Sequence, residues 1–274
     1  MHPTPRLLTP TDIPSGMRLK QAAGWNQTES DWRNLLALAP ESSFGIECDG
    51  EVRASTTAIC YGRELAWVGM VLTDPAYRGR GLARRLMEHT LEYLRRERVH
   101  WIKLDATAMG RPVYERLGFR DEAAIERWVR KPGAVRWASS TEPFVLDATL
   151  DREAFGADRA ALLRRLAGFE AASIAEGGFA MGRAGSAASY FGPCVALSGE
   201  AARDLLAWFL ARHADESIYW DILAANRGAL ELAREFGFER ARELTRMSMA
   251  GVANRATLQN DDLLVYAAAG FEYG

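Results

Sequence analysis

Residues 74–86 read DPAYRGRGLARRL, four arginines and two glycines in thirteen residues. The chemistry such a run can do is anion binding. Arg78 and Arg80 each offer a planar fork of N–H donors that matches phosphate oxygens, and Gly79 and Gly81 let backbone N–H groups approach a ligand with no side chain in the way. Further on, RPVYERLGF (111–119) places a phenol, Tyr114, that can hold and release a proton, and VHWIKLDAT (99–107) carries a carboxylate and a hydroxyl, Asp105 and Thr107. Three widely spaced cysteines and four histidines form no ligand cluster, so neither a disulfide nor a metal site is expected. A formal net charge of −2 disfavours a polyanion such as nucleic acid as the main partner of the arginine-rich run.

The elements that must position these residues are legible around them. ELAWVGMVLT (64–73) is apolar and rich in β-branched and aromatic residues and predicts a buried strand. Leu82, Leu86, Thr90, Leu91 and Leu94 recur at helical spacing just after the glycines, with Arg84, Glu88, Glu92 and Arg96 on another face. The glycines therefore fall where a strand ends and a helix begins, a point where free N–H groups and the positive end of the helix dipole favour an anion. Residues 99–107 predict a second strand and 111–119 a short helix, with Pro112 suited to its first turn and Gly118 to its C-terminal cap.

A strand followed by Arg78, Gly81 and Ala83 in R-x-x-G-x-A spacing resembles the pyrophosphate loop of the GCN5-related N-acetyltransferases, the GNAT superfamily, and Tyr114, Gly118 and Phe119 match that family's downstream Y-x-x-x-G-F segment. The resemblance covers roughly residues 6–130. It implies that the backbone of Val71, Leu72 and Thr73 pairs with the pantetheine arm of acetyl-CoA in a gap between two splayed parallel strands. It also implies that Arg78, Gly79, Arg80, Gly81, Leu82 and Ala83 hold the pyrophosphate, and that Tyr114 protonates the departing thiolate. Tyr114 is otherwise a helix-packing aromatic. Where the family often has Asn, seven residues before the tyrosine, this chain has Thr107, and the resemblance implies that its hydroxyl serves the cofactor there.

NRGALELAREFGF (226–238) looks like a second copy of the 107–119 segment, with Phe238 lying 119 residues after Phe119. The same offset carries Thr107 to Asn226 and Leu86 to Leu205, so the chain reads as two tandem GNAT-like units. Each is expected to be an α+β domain: a mixed, mostly antiparallel central sheet flanked by helices, with a splayed parallel strand pair. The boundary is expected in KPGAVRWASSTEP (131–143), giving a catalytic domain 1–135 and a degenerate domain 136–274. At that offset Arg78 maps to Leu197, Gly81 to Glu200 and Tyr114 to Ala233, so the second copy should bind no acetyl-CoA.

The acceptor must lose a proton before it attacks a thioester. The strand at 64–73 offers no base, which leaves Asp105 as the candidate, either as proton acceptor or as an aspartate capping the following loop. The family's crossover above the acceptor falls on QAAGWNQTESDWRNLL (21–36). A break at Gly24–Asn26 would leave Trp25 and Asn26 lining the acceptor pocket, with Trp32 in the core. In the second unit, Asp151, Asp158 and Arg159 could reach an amine from a helix facing domain 1, or could belong to an ordinary solvated helix. The expected activity is acetyl transfer from acetyl-CoA to a primary amine of a small molecule by a cytoplasmic monomer or homodimer. The alternatives are a protein or peptide acceptor, or a non-catalytic acetyl-CoA sensor. No run of 18 apolar residues suggests a membrane span.

Overall fold

The computed structural model describes residues 4–134, 137, 139–175, 177–252 and 257–274. The boundary expected between residues 135 and 136 lies outside them. In the first half, β1 (Pro5–Leu7) leads to two helices, α1 (Ile13–Ala22) and α2 (Glu29–Leu38). A meander follows, β2 (Ser43–Cys48), β3 (Glu51–Tyr61) and β4 (Leu65–Thr73), and then α3 (Leu82–Arg96), β5 (Trp101–Ala106), α4 (Arg111–Arg116) and β6 (Arg120–Arg130). The second half repeats the plan with β7 (Glu142–Pro143), α5 (Ala148–Phe155), α6 (Ala160–Leu166), β8 (Glu170–Ile174), β9 (Gly178–Arg183), β10 (Ser189–Ala196), α7 (Gly199–Arg212), β11 (Ile218–Leu223), α8 (Arg227–Glu235) and β12 (Glu239–Ala250). A closing strand, β13 (Val265–Ala267), follows.

Local sequence explains the elements that matter most. The predicted helical stripe of α3 is buried at Leu82, Leu86, Met87, Thr90, Leu91 and Leu94. β4 is apolar because both of its faces are covered, with Leu65 to Met70 all buried. Between α1 and α2 the chain breaks at residues 23–28, and Thr28 opens α2 by accepting a hydrogen bond from Asp31 N while the Asp31 carboxylate accepts from Thr28 N. Among the described residues, no helix is long and apolar enough to cross a membrane.

The two halves are not beads on a string. All strands belong to one sheet, ordered β1-β2-β3-β4-β5-β12-β6-β11-β10-β9-β8-β7, with β13 added beside β10. Each half has given its last long strand to the other: β12 lies against β5, and β6 lies against β11. The exchanged strands pair antiparallel with each other, and Leu244 faces Ile125 in their register. Those two residues are 119 apart, so the sequence repeat becomes a pseudo-twofold axis running between them. The core follows suit, since Trp32, Trp67 and Ile125 of the first half share one apolar cluster with Phe155, Phe179 and Leu244 of the second. A fragment ending near residue 138 would lose β12 from between β5 and β6, so tandem domains here means an interlocked pair.

Candidate functional site

β4 and β5 are parallel and pair only from Leu65–Trp67 to Trp101–Lys103, after which they diverge. The divergence starts where β4 bulges against β3, and Met70 takes φ 49°, a left-handed conformation rare for a non-glycine residue inside a strand. Among the described residues, Val71, Leu72 and Thr73 thus line a gap with no strand partner on the β5 side, and Thr73 Oγ1 is a buried polar atom with no hydrogen-bond partner. Such an edge offers a peptide-like ligand the hydrogen bonds that a neighbouring strand would otherwise make.

The loop that follows β4 ends on Gly81, which caps α3 at φ 74° with no side-chain cap bond. Gly79 has φ 76°, and a Cβ at either glycine would meet nothing within 4 Å, so the left-handed backbone and not crowding requires glycine here. Arg78, Gly79, Arg80 and Gly81 are exposed, Leu82 is buried and Ala83 half-buried. The first-turn N–H groups of α3 are therefore free to meet an anion. Beside them the guanidinium groups of Arg53 and Arg80 lie over the Tyr77 ring, at 5.0 and 4.6 Å from its centroid.

Tyr114, on α4, packs edge-on against Phe119 with centroids 6.1 Å apart. Thr107 stands at the start of the turn into α4, where its hydroxyl accepts from Gly110 N. The Tyr114 hydroxyl makes no hydrogen bond to a described residue, and burial holds its pKa well above the ordinary phenol value. A tyrosine of this kind stays protonated at neutral pH.

Two acceptor-side expectations meet a different geometry. Asp105 is no free base. Its side chain is fully buried, and Arg246 of β12 donates Nε and Nη2 to its two oxygens at 2.9 and 3.1 Å. Burial raises the Asp105 pKa and Arg246 opposes that rise. Nor does the loop-capping alternative hold, because the bidentate partner comes from the other half of the chain. Asn26 is likewise not free for a substrate: its amide donates to Ala188 O at 2.8 Å and accepts from Ala187 N and Ala188 N, tying the α1–α2 segment to the second half. Trp25 is half-buried against the shared core, and Trp32 is 1% exposed within it. Asp151 and Arg159 are spent on each other, at 2.9–3.2 Å, inside the second half.

Sequence reasoning missed the partners of these residues. Arg127 of β6 holds Asp221 of β11 in the same bidentate way, at 2.7 and 2.6 Å. Arg127 and Arg246 are 119 apart, so the two ion pairs are one motif used twice, each spanning the two halves. The offset that revealed the repeat would have paired the arginines had it been applied to the last strands. Asn26, Gln27, Asp31, Arg127, Arg183 and Glu272 line one narrow polar crevice.

The second half has lost its gap and its loop together. β10 and β11 also diverge after three pairs, but β13 lies in the opening, bonded to β10 at Cys194 and Val195, while Trp220 Nε1 donates to Tyr266 O and Ala268 N to Asp221 O. The chain thus fills its own cleft where an extended ligand would lie. The eight residues between β4 and α3 shrink to Leu197 and Ser198 between β10 and α7. Gly81 therefore corresponds in space to Ser198 and not to Glu200: a single offset of 119 fails across this deletion. Ser198 Oγ accepts from Ala201 N, capping the helix end that α3 leaves open.

The first half thus presents a splayed parallel strand pair running into an uncapped, glycine-rich helix start. Two family models match accordingly: "Acetyltransferase (GNAT) family" over residues 15–119 and "Acetyltransferase (GNAT) domain" over residues 148–264. Together they take in more than three quarters of the chain, which belongs to the GNAT acetyltransferases. The uncharacterized N-acetyltransferase YitH of Bacillus subtilis is 27% identical over 159 residues, 55% of each chain. The chain spans about half the length of the curated relatives it matches. In fold it resembles a putative acetyltransferase from Pyrococcus horikoshii, with TM-score 0.85, 23% identity and 98% of this chain and 95% of that chain covered. It also resembles a tandem GNAT protein from the clavulanic acid biosynthesis pathway, with TM-score 0.60, 15% identity and 91% and 99% covered.

Proposed function

We propose that the first half binds acetyl-CoA and transfers its acetyl group to the primary amine of a small molecule. The observation that carries this reading is the contrast between the two halves: one has an open gap, an eight-residue loop and an uncapped helix, and the other has each of these filled, deleted or capped. Acetyl-CoA would supply an activated acyl group. Val71, Leu72 and Thr73 would offer backbone hydrogen bonds along the gap, with Thr73 Oγ1 gaining the partner it lacks. Arg78 to Ala83 would hold the pyrophosphate, and Thr107 would lie at the opposite wall. Tyr114, kept neutral by burial, would give its proton to sulfur as the C–S bond breaks.

A small acceptor fits the interlocked architecture better than a peptide does. The second half, the 23–28 segment and the C-terminal residues 268–274 all converge on the face of the sheet opposite α3, where Phe271 O accepts from Trp67 Nε1 and a Cβ on Gly69 would come within 2.9 Å of Glu272 Cα. Trp25 and Asn26 then shape this enclosure and do not themselves grip the substrate. Following thiol release from acetyl-CoA against a panel of amines tests the reading, with Tyr114→Phe beside the wild type. Turnover of a small amine that falls roughly 10²- to 10⁴-fold in the variant, with acetyl-CoA affinity kept within a few-fold, is expected. Unchanged turnover would remove Tyr114 from the chemistry, and binding of acetyl-CoA with no turnover of any amine would leave a sensor.

A further inference from the structure

The two interlocking ion pairs form an internal control, because one of them carries an extra charge. In the register of β12 and β6, Arg242 lies directly opposite Arg127, on the face that also holds Asp221. Asp221 gives its oxygens to Arg127 and the Tyr190 hydroxyl and makes no bond to Arg242. Arg242 has no hydrogen-bond or carboxylate partner among the described residues. Its Nε is buried without an acceptor, and its guanidinium lies 5.4 Å from the ring centroid of Phe271, which also stacks on Arg127 at 4.4 Å. Burial, and then the charge of Arg127, lowers the Arg242 pKa. Like charges facing each other across strands destabilise a sheet.

The twin of this arrangement does without that charge. The residue 119 positions before Arg242 is Ala123, which faces Arg246 beside the Arg246–Asp105 pair. The symmetry-related strand pairing forms with alanine at this place, so the interlock itself does not require Arg242. Its location gives a reason for it. β12 runs antiparallel to β5 with Thr245 opposite Ala106, so Arg242 lies three residues past that pairing, beyond the end of β5 and at the end where β4 and β5 no longer pair. Phe271, which Arg242 overlies, is hydrogen-bonded through its carbonyl to Trp67, two residues before Gly69 on the bulged strand.

We propose that Arg242, backed by Arg127, is an anion subsite for the acceptor, so that the amine acetylated here carries a carboxylate or a phosphate. This rests on the acetyl-transfer reading above. The anion takes the place of the missing carboxylate partner, satisfies Arg242 Nε and relieves the repulsion between the two arginines, while the amine end reaches over Phe271 toward the gap. A neutral or polycationic amine gains nothing at this position and is disfavoured by the two guanidinium charges.

Matched amines test the inference. Thiol release from acetyl-CoA is followed with β-alanine against propylamine, with O-phosphoethanolamine against ethanolamine, and with the common amino acids, amino-sugar phosphates and spermidine. The wild type should favour the anionic member of a pair, and which pair responds tells carboxylate from phosphate. Arg242→Met, which keeps the apolar stem against Phe271, should raise KM for the anionic amine about 10- to 100-fold with kcat within a few-fold and acetyl-CoA affinity unchanged. Arg242→Lys should recover part of that loss. The melting temperature of Arg242→Met should equal or exceed that of the wild type, since a like-charge contact has gone. A wild-type preference for the neutral amine or spermidine, an unchanged KM in Arg242→Met, or a lowered melting temperature would overturn the subsite while leaving acetyl transfer intact. A protein that binds acetyl-CoA yet acetylates no amine in the panel would overturn both.

Discussion

Replacing Asp221 by alanine should loosen the whole molecule. The Asp221 side chain is 0% exposed, and its carboxylate receives Arg127 Nε and Nη2 at 2.7 and 2.6 Å and the Tyr190 hydroxyl at 3.0 Å. In the variant the Arg127 guanidinium stays buried with no carboxylate partner, and Tyr190 keeps only its bond to Ala268 O. Removing one member of a buried ion pair costs about 3–5 kcal/mol. For a cooperative unit of this size, that is a fall in melting temperature on the order of 10 °C. Because the core and the sheet run through both halves, urea unfolding followed by tryptophan fluorescence and by circular dichroism should give one coincident transition, moved to lower denaturant. The double variant Arg127→Met with Asp221→Leu should recover most of the loss, because burying apolar groups in place of a buried pair is often neutral. Asp105→Ala, which breaks the symmetry-related pair, should behave like Asp221→Ala. A loss below about 1 kcal/mol, or two separate transitions, would refute the interlocked account.

Other outcomes follow from particular contacts. Gly69→Ala places a Cβ within 2.9–3.0 Å of the Glu272 backbone and should cost about 1–3 kcal/mol of unfolding free energy, read from urea curves. Burial raises the pKa of Tyr61, Tyr114, Tyr190 and Tyr273, so each favours its neutral form in the folded state. The stability they contribute is fully present below the unfolded tyrosine pKa of about 10 and is lost as pH rises above it. The urea midpoint should therefore hold steady up to about pH 9 as far as tyrosine is concerned and fall beyond pH 10. Phenolate absorbance from these four tyrosines should appear only with unfolding.

The local geometry of the glycine loop was legible in the sequence, and the long-range contacts of Asp105 and Asn26 were not. Gly79, Gly81 and the α3 stripe act within twenty residues of one another, through backbone conformation and helical period, and those are properties that a local stretch of sequence encodes. The general plan of two repeats was legible for the same reason. Asp105 was misjudged because its fate depends on Arg246, 141 residues away, and Asn26 because it grips Ala187 and Ala188 across the chain. The exchange of β6 and β12 leaves no mark on either strand's own pattern, since these charge-rich strands read alike whichever neighbour they take. The filled cleft was hidden because β13 is a three-residue strand whose partner, β10, ends some seventy residues earlier. The shortened loop was hidden because one offset was carried across a deletion.

On the proposed function, one half of the paired structure keeps an acetyl-CoA site and the other half has closed it. Calorimetric titration of the intact chain with acetyl-CoA tests this most directly, beside the variant Gly81→Glu, which puts a side chain and a negative charge on a left-handed residue at the open end of α3. The account predicts one site per chain in the wild type and loss of most of the affinity in the variant. Two sites per chain, or binding that Gly81→Glu leaves untouched, would contradict it.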